Sequence, residues 1–324
     1  MLRKYSRFIF FAVFLVLFAL ILFFSFSRPV RMILLILALA ALLLMNMGSF
    51  YYARAEKIMR NMRKKDIALL SFYLEKALIW GIKSSQRINA LIILLDYNKK
   101  NESKIMLESI VDRKEGRERT RCASALLRSY TREGRDQDAQ RMVNILSADK
   151  SASSLLSQMR FFISQADDEN FAAKASTALS LYINGAEIRD ACASYAAANG
   201  DFADAGCILK SVFENYTPFF PEVFVHMALV YLALDDYKSA LLYLDGALEN
   251  AIFANTSLYS EEYVRSLKDK VSKTSFFFKK DEIKSASRGK EISFTSADEG
   301  KRDADVSLSS KASTSILLKM KESF

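Results

Sequence analysis

The chain has 324 residues and a net charge of +9, and 51% of its residues are hydrophobic. Ten glycines and three prolines are few for this length, which favours an almost entirely helical protein. Residues 1–65 contain eleven lysines and arginines and one acidic residue, whereas residues 151–255 contain five basic and thirteen acidic residues. Because the basic excess lies beside the first apolar segments and the later region is acidic, this charge distribution argues against nucleic-acid binding.

Two apolar segments near the N-terminus are predicted to cross a membrane as a hairpin. The first, residues 8–26, has nineteen residues and no charge, and as a helix it would be about 28 Å long, close to the thickness of a bilayer core. The second covers residues 32–53, and the five residues between the segments allow only a tight turn. A cleaved signal peptide is the alternative for the first segment, but its apolar core is longer than usual and no small-residue cleavage site follows.

Basic residues flanking these segments predict their orientation. Three precede the first segment and two lie in the turn, while six follow the second segment: Arg54, Lys57, Arg60, Arg63, Lys64 and Lys65. Since cytoplasmic loops carry the excess of Lys and Arg, we expect a two-pass integral membrane protein with both termini in the cytoplasm. The six cations are also candidates for contact with anionic membrane lipid, and a role in orientation alone is the alternative.

A repeated pattern of small and large apolar residues follows the second segment. It is clearest in residues 222–250, where the pattern positions are Phe224, Met227, Ala228, Tyr231, Tyr237, Ala240, Leu244, Ala247 and Leu248. The segment resembles the tetratricopeptide repeat (TPR), a pair of antiparallel helices in which small residues allow close approach and large residues fill the groove between neighbouring pairs.

Weaker copies of this unit precede it. The positions equivalent to Ala240 are Leu70, Lys104, Ala139, Ala175 and Ala205, and the five successive spacings are 34, 35, 36, 30 and 35 residues. These values bracket the 34-residue TPR period. The resemblance therefore implies an all-α solenoid of about six helix pairs over residues 54–255. A non-repeating helical bundle is the alternative for residues 54–115, where the match is poorest.

The remaining chain is divided by composition. Residues 256–272 carry an apolar stripe at four-residue spacing (Tyr259, Tyr263, Leu267 and Val271), which predicts a helix that caps the solenoid. Residues 273–324 are serine-rich and charged and are predicted to be disordered. Two apolar islands in this tail, residues 276–278 and 316–318, are candidates for docking on the solenoid or on a partner, and packing or idle exposure is the alternative. The predicted domains are thus a transmembrane hairpin over 1–53, a solenoid, a capping helix and a tail.

Catalytic and metal-binding motifs are missing from the sequence. Because the sequence has a single histidine, His226, it contains no HExxH zinc motif, and we expect no His-containing catalytic triad. His226 lies in the best-matched repeat, where we expect a packing or surface role. There is no phosphate-binding glycine loop and no CxxC pair. Cys122, Cys192 and Cys207 are far apart, and we expect them to be small buried hydrophobic residues. We therefore expect a protein without enzymatic activity, cofactor or metal.

The resemblance also implies a binding surface, because the first helix of each TPR unit lines a concave groove that accepts peptides. Carried over to this chain, the candidate partner-binding residues are Asn89, Asp96, Arg121, Ser124, Arg128, Thr131 and Arg132. The expected ligand is a protein or peptide, and because arginine pairs well with carboxylates, an acidic one would match this face. A merely solvated helix face is the alternative.

Two functional hypotheses follow from this organisation. The first is a membrane-anchored, TPR-like adaptor or scaffold that binds a protein or peptide on the cytoplasmic side. The second is a structural or regulatory subunit of a larger membrane assembly, with the hairpin packing against other membrane helices. Polar residues or a pair of small residues four positions apart in the hairpin would favour the second hypothesis, and Asn46 and the Ala38–Leu42 pair give it only faint support.

Overall fold

The computed structural model describes residues 2–23, 27–98, 101–182, 184–273 and 278–290. In these ranges the protein is all-α, with fifteen α-helices and one short 3-10 helix. The chain divides into two compact units, Met1–Met106 and Leu107–Phe324. Each unit is described by itself below.

The first unit is built on two long N-terminal helices followed by shorter ones. Its elements are α1 (Leu2–Phe23), α2 (Arg28–Met59), a 3-10 helix (Lys64–Asp66), α3 (Ile67–Trp80) and α4 (Ser84–Tyr97). Helix α2 packs against both α1 and α3, and α3 packs against α4. The boundary between the two units falls inside the next helix, α5 (Asn101–Arg113).

Helix α2 is longer than the apolar segment from which it was predicted. It begins at Arg28, so most of the predicted turn belongs to the helix. Pro29 lies in the first turn, where a backbone N–H has no partner within the helix and its absence is therefore tolerated. It then continues past residue 53 to Met59. Tyr52 and Ala55 are buried there in a core shared with α3 and α4, whose other members are Leu70, Leu74, Ala77, Ala90 and Leu94. The expected boundary between hairpin and solenoid at residues 53 and 54 therefore lies inside one helix.

Among the described residues, no single helix combines the length and apolar composition required to cross a bilayer. The two parts of α2, Arg28–Leu44 and Asn46–Met59, meet this requirement together and are bent by 43° relative to each other. At the bend the Asn46 side-chain amide donates a hydrogen bond of 3.0 Å to the carbonyl of Leu42. Such a side-chain bond to the preceding turn competes with the backbone ladder and is associated with helix bending.

At Gly48 the backbone of α2 closely approaches the end of α3. A Cβ atom at this position would lie 1.9 Å from the carbonyl oxygen of Gly81, the residue that ends α3 with a positive φ of 85°. A backbone oxygen cannot rotate away as a side chain can. Glycine is thus required at position 48 for the two helices to meet as they do.

The second unit is a series of consecutive helix pairs. After the C-terminal part of α5 come α6 (Gly116–Glu133), α7 (Asp136–Leu146), α8 (Ala152–Gln165), α9 (Asp168–Tyr182), α10 (Ala186–Ala198), α11 (Phe202–Asn215), α12 (Pro221–Ala233) and α13 (Tyr237–Asn250). Each even-numbered helix packs against the helix that follows it, and the even-numbered helices also pack against one another, α6 on α8, α8 on α10 and α10 on α12. The first helices of the pairs therefore form one continuous layer.

The turn inside each pair has the same backbone structure. The first residue after the turn donates its N–H to the carbonyl of the residue five positions earlier, at 2.9 to 3.0 Å. The donors and their acceptors are Arg135 to Tyr130, Asp167 to Phe162, Asp201 to Ala196 and Asp236 to Tyr231. The residue before each donor has a positive φ: Gly134, Ala166, Gly200 and Asp235. This is the helix-ending Schellman arrangement. Its recurrence at four successive turns is evidence of a structural repeat that does not depend on sequence similarity.

The predicted register of the repeats is also visible in the core. Leu70, Ala139, Ala175, Ala205 and Ala240 are all fully buried, and Lys104, which occupies the equivalent position in the poorest copy, is buried as well. Alanine at these points allows the two helices of a pair to approach closely. The prediction of an all-α fold with TPR-like helix pairs is therefore confirmed.

Two further helices follow the last pair. Helix α14 (Glu261–Ser272) packs on α13, and the predicted stripe residues Tyr259, Tyr263, Leu267 and Val271 are all buried. Helix α15 (Lys280–Ser287) lies in the region that was predicted to be disordered, and it packs against α10 and α12. The structure thus differs from the sequence prediction at residues 280–287. The apolar islands at 276–278 and 316–318 lie, except for Phe278, outside the described residues.

Candidate protein-binding face

The layer formed by α6, α8, α10 and α12 contains most of the residues proposed from the sequence as a binding face. Arg121, Arg128, Thr131 and Arg132 on α6 are each partly buried. The Arg128 guanidinium lies 3.5 Å from the hydroxyl of Ser153 at the start of α8. Arg128 therefore lies at the contact between α6 and α8.

Ser124 is not on the surface of this layer. It is buried between α6 and α8, where its hydroxyl lies 3.0 Å from the carbonyl of Ser153 and 3.0 Å from the hydroxyl of Ser157. Because these hydrogen bonds join two neighbouring helix pairs, Ser124 has a packing role in this structure. The sequence pattern placed it on the same side of α6 as Arg121 and Arg128 but could not show that α8 covers it.

Asn89 and Asp96 belong to the first unit, on α4. The Asn89 side-chain amide donates a hydrogen bond of 3.3 Å to the hydroxyl of Tyr52 on α2, and so it takes part in the packing of α2 on α4. These two residues are thus placed in a different compact unit from the arginines of α6. The same unit holds the six predicted lipid-contacting cations, Arg54, Lys57, Arg60, Arg63, Lys64 and Lys65, and all six are exposed.

At the C-terminal end of α6 the structure forms a cavity of about 370 Å³ that the sequence did not reveal. Thr131 and Arg132 line one side, Ser164 and Gln165 at the end of α8 line another, and the residues after α15 close it: Arg288, Gly289 and Lys290. Three cations and one acid, Asp136, surround this space. The cavity is therefore basic, and it combines Arg132 with cations from a segment that lies more than 150 residues later in the chain.

Helix α15 lies against the layer formed by α6, α8, α10 and α12, where it packs on α10 and α12. Ile283, Ala286 and Ser287 on this helix are fully buried, with 0% of their surface exposed. The hydroxyl of Tyr259 donates a hydrogen bond of 2.7 Å to the carbonyl of Ala286, and the hydroxyl of Ser194 on α10 donates one of 2.5 Å to the carbonyl of Ser287. The face formed by α10 and α12 is thus already bound to a helix of the same chain.

The sequence contained signals for α15 that the serine-rich composition obscured. Asp281 and Glu282 stand at its start, where acidic residues favour a helix, and Gly289 with a φ of 84° follows its end. The side chain of Glu282 accepts a hydrogen bond of 3.3 Å from the N–H of Lys279. An eight-residue helix is marginal in isolation, so its packing against α10 and α12 decides whether it forms.

A buried charged cluster lies beneath α15. Arg160 on α8 lies 3.8 Å from a carboxylate oxygen of Asp190 on α10 and 3.6 Å from one of Glu222 on α12. The imidazole Nδ1 of His226 is 2.8 Å from the other oxygen of Asp190. The two acids and the histidine are at most 2% exposed. These four residues therefore connect three successive helix pairs through charge in a place from which water is excluded.

The cluster also orients the residues that hold α15. Glu222 accepts a hydrogen bond of 3.0 Å from the N–H of Leu258, which immediately precedes Tyr259. The His226 ring packs edge-on against the Tyr259 ring at a centroid distance of 5.4 Å. Burial lowers the pKa of Arg160, but the charges of Glu222 and Asp190 outweigh this effect and leave the pKa above its ordinary value. The guanidinium thus remains charged, and Tyr259 is fixed with its hydroxyl toward Ala286.

The His226–Asp190 pair joins α12 to α10, and Ser194 lines the same enclosed space. Cys192 lies nearby, but burial and the charge of Asp190 raise the pKa of its thiol to about 12, so it remains protonated and unreactive. Burial likewise raises the pKa of Cys122 to about 11. Cys207 differs from the expectation of three buried cysteines because its side chain is exposed. Within the described ranges, no group of three or more His, Cys, Asp or Glu residues is placed to hold a metal ion.

The repeated pairs, their shared turn and their continuous inner layer define a helical-repeat protein with TPR-like helix pairs. No protein-family model matches this chain, and no curated protein matches it. Among solved structures, the chain is similar to a tetratricopeptide repeat protein from Parabacteroides merdae, with 13% sequence identity and a TM-score of 0.42. That similarity covers 70% of this chain and 99% of the other.

Proposed function

We propose that the protein is a membrane-anchored TPR-like scaffold that binds a segment of a partner protein on the cytoplasmic side. The observation that supports this function best is the packing of α15 on the surface of α10 and α12, which is called the α15 seat below. This surface accepts a polypeptide through buried apolar side chains and through hydroxyl groups aimed at backbone carbonyls. A surface that binds one helix in this way has the chemistry required to bind another.

The charge of the neighbouring surface supports an acidic partner. Arg121, Arg128 and Arg132 follow one side of α6, and Arg288 and Lys290 add two cations beside Arg132. Arginine offers a planar set of donors that matches carboxylate groups. A partner segment that extends from the α15 seat toward α6 would therefore meet a basic surface.

Membrane anchoring is supported by the apolar side chains that α1 and α2 leave uncovered. Exposed large hydrophobic residues on the two helices include Phe11, Val16, Phe18, Met32, Ile33, Leu35, Ile36, Leu39 and Leu43. An exposed apolar surface of this extent requires contact with lipid or another protein. The six exposed cations from Arg54 to Lys65 follow it directly, as expected on the cytoplasmic side of a membrane.

The alternative function, a structural or regulatory subunit of a larger membrane assembly, depends on features for helix association in α2. Ala38 and Ala41 on this helix are each only 5% exposed, so both are already buried within the first unit. The Asn46 amide is bonded within its own helix. Because the chain itself uses these groups, the scaffold function is favoured.

Charge reversal tests partner binding. Partners are crosslinked to the full-length protein in membranes and recovered with it. Changing Arg121, Arg128 and Arg132 together to Glu should reduce this recovery at least about tenfold, which corresponds to a loss of about 1.4 kcal/mol in binding free energy. Recovery with the unchanged protein should also fall as salt rises, because charges on an open surface are screened. The yield of each partner can be measured by quantitative mass spectrometry.

The matched control reverses three exposed cations outside the inner layer, Arg141, Lys210 and Arg265, which gives the same change in net charge. It should leave partner recovery unchanged. Equal loss in both triple variants would mean that net charge and not the α6 surface governs binding. Equal recovery in both would show that these arginines are only solvated.

The exposed thiol of Cys207 provides a test of membrane orientation. A membrane-impermeant thiol reagent should leave Cys207 unmodified in intact cells and modify it after the membrane is opened. In a Cys207→Ser background, a cysteine at Ser27, which is exposed, should be modified in intact cells. Modification of Cys207 in intact cells would overturn the proposed cytoplasmic location, with labelling measured by mass shift on a gel.

A further inference from the structure

Helix α15 makes its contacts mainly at its C-terminal end. The last carbonyls of any helix have no partner within the helix. Here the Tyr259 hydroxyl bonds the carbonyl of Ala286 and the Ser194 hydroxyl bonds that of Ser287, at 2.7 and 2.5 Å. Two donors from different parts of the second unit thus converge on one helix end. Recognition by carbonyl groups does not depend on side-chain identity, so other helices can present the same feature.

Side chains supply the specificity of this contact. Ile283 and Ala286, three positions apart, share one face of α15 and are both fully buried. Leu258 packs beside Gly289, where an added Cβ would lie 3.2 Å from a methyl group. The seat therefore requires a large aliphatic residue, then a small residue one turn later, and then a residue that ends the helix without a bulky side chain.

Arg288 adds a charge requirement. Its guanidinium donates hydrogen bonds to the carbonyl of Ile163 at 3.3 Å and to the side chain of Asn199 at 3.5 Å. It also borders the same enclosed space as Arg160, Asp190 and His226. The buried cluster has two acids, Asp190 and Glu222, against one arginine, Arg160, so a second positive charge at this edge is electrostatically favourable. A helix without this cation would lose that attraction.

From these contacts, and on the basis of the proposed function, we infer that the α10–α12 face is a receptor for the C-terminal turn of a helix with the α15 pattern. That pattern is an aliphatic residue, a small residue three positions later and an arginine two positions beyond it. Helix α15 occupies the receptor as an internal competitor, and the partner is a protein helix of the same chemistry that displaces it.

The test uses the full-length protein in detergent and a fluorescent synthetic peptide with the sequence of residues 278–290. Ile283→Asp in the protein places a charge in a fully buried position and should release α15. This variant should then bind the peptide saturably, as measured by fluorescence anisotropy. The unchanged protein should bind at least about tenfold more weakly, because an internal competitor acts at an effective concentration on the order of millimolar.

Three controls define the specificity. Lys280→Asp introduces the same side chain at an exposed position of α15, and this protein should behave like the unchanged one. A peptide with Arg288→Glu should bind the released protein at least about tenfold more weakly. Adding Ser194→Ala and Tyr259→Phe to the released protein, which removes the two carbonyl donors, should also weaken peptide binding.

A second releasing variant, Arg288→Glu in the protein, places an acid beside Asp190 without altering the α10–α12 face. If both released proteins retain their helical circular dichroism and neither binds the peptide, the receptor is disproved. If the unchanged protein binds the peptide as tightly as the variants, α15 is not a competitor. Either failure is distinguishable from failure of the proposed function, because crosslinking of partners along α6 does not involve this peptide.

Discussion

Replacement of Arg160 by methionine is expected to destabilise the second unit by about 3–5 kcal/mol, the cost of removing one member of a buried ion cluster. Methionine retains much of the length of the side chain but no charge. Asp190 and Glu222 would then be two carboxylates with at most 2% exposure that have lost the guanidinium 3.8 and 3.6 Å away from them. Hydrogen exchange of peptides from α8, α10 and α12 measures this loss in the unit concerned.

Arg265→Met is the matched control. Arg265 also pairs with a glutamate, Glu261, at 2.7 Å, but its side chain is 61% exposed. Exposed ion pairs contribute about 0–1 kcal/mol, so this variant should exchange almost like the unchanged protein. Adding Asp190→Asn and Glu222→Gln to Arg160→Met should recover part of the lost stability, because it removes the uncompensated charges. A cost for Arg160→Met no greater than that for Arg265→Met would contradict the role assigned to the cluster.

Ala205→Leu should be the second most damaging change, at about 1–3 kcal/mol, the usual cost of adding methylene groups to a packed core. Ala205 is fully buried where α11 meets α10, at the position equivalent to Ala240 in the next pair. A larger side chain would force the two helices apart. Urea unfolding followed by circular dichroism gives the change in the free energy of unfolding.

The control for this substitution lies two residues away on the same helix. Ala203 is exposed, so Ala203→Leu adds the same side chain without disturbing a helix contact, and it should change the free energy of unfolding by less than about 0.5 kcal/mol. Trp80, the single tryptophan, lies in the first unit, so its fluorescence reports the unfolding of that unit. Because both substitutions lie in the second unit, this fluorescence transition should be the same in the two variants. Equal stability of the Ala205 and Ala203 variants would refute the repeat register.

The repeats were predictable because their pattern is local and periodic. Ala139, Ala175, Ala205 and Ala240 recur near a 34-residue period, and each is buried where the pattern placed it. The boundary of the first repeat was not predictable in this way. Helix α2 continues through residue 53 because Tyr52 and Ala55 find a core on α3 and α4, and the change from apolar to charged composition at Arg54 does not end a helix.

The binding role of the candidate site stays a prediction, and the structure decides only where its residues lie. The sequence pattern placed Arg121, Arg128 and Arg132 on one side of α6, and Arg128 lies 3.5 Å from Ser153 of α8. Ser124 was assigned to the same surface, but α8 covers it. Contacts of this kind depend on which helix lies next to α6, and the spacing of residues along a single helix contains no such information.

By itself, the sequence determined the all-α class, the repeat period and the stripe of the capping helix, because each depends on the regular spacing of apolar residues along a helix. Tertiary structure alone decided the seat of α15 and the buried cluster of Arg160, Asp190, Glu222 and His226. The cluster joins charges from three helix pairs, and α15 is a short, polar segment whose order comes from long-range contacts. Both depend on burial between residues far apart in the chain, which no local pattern encodes.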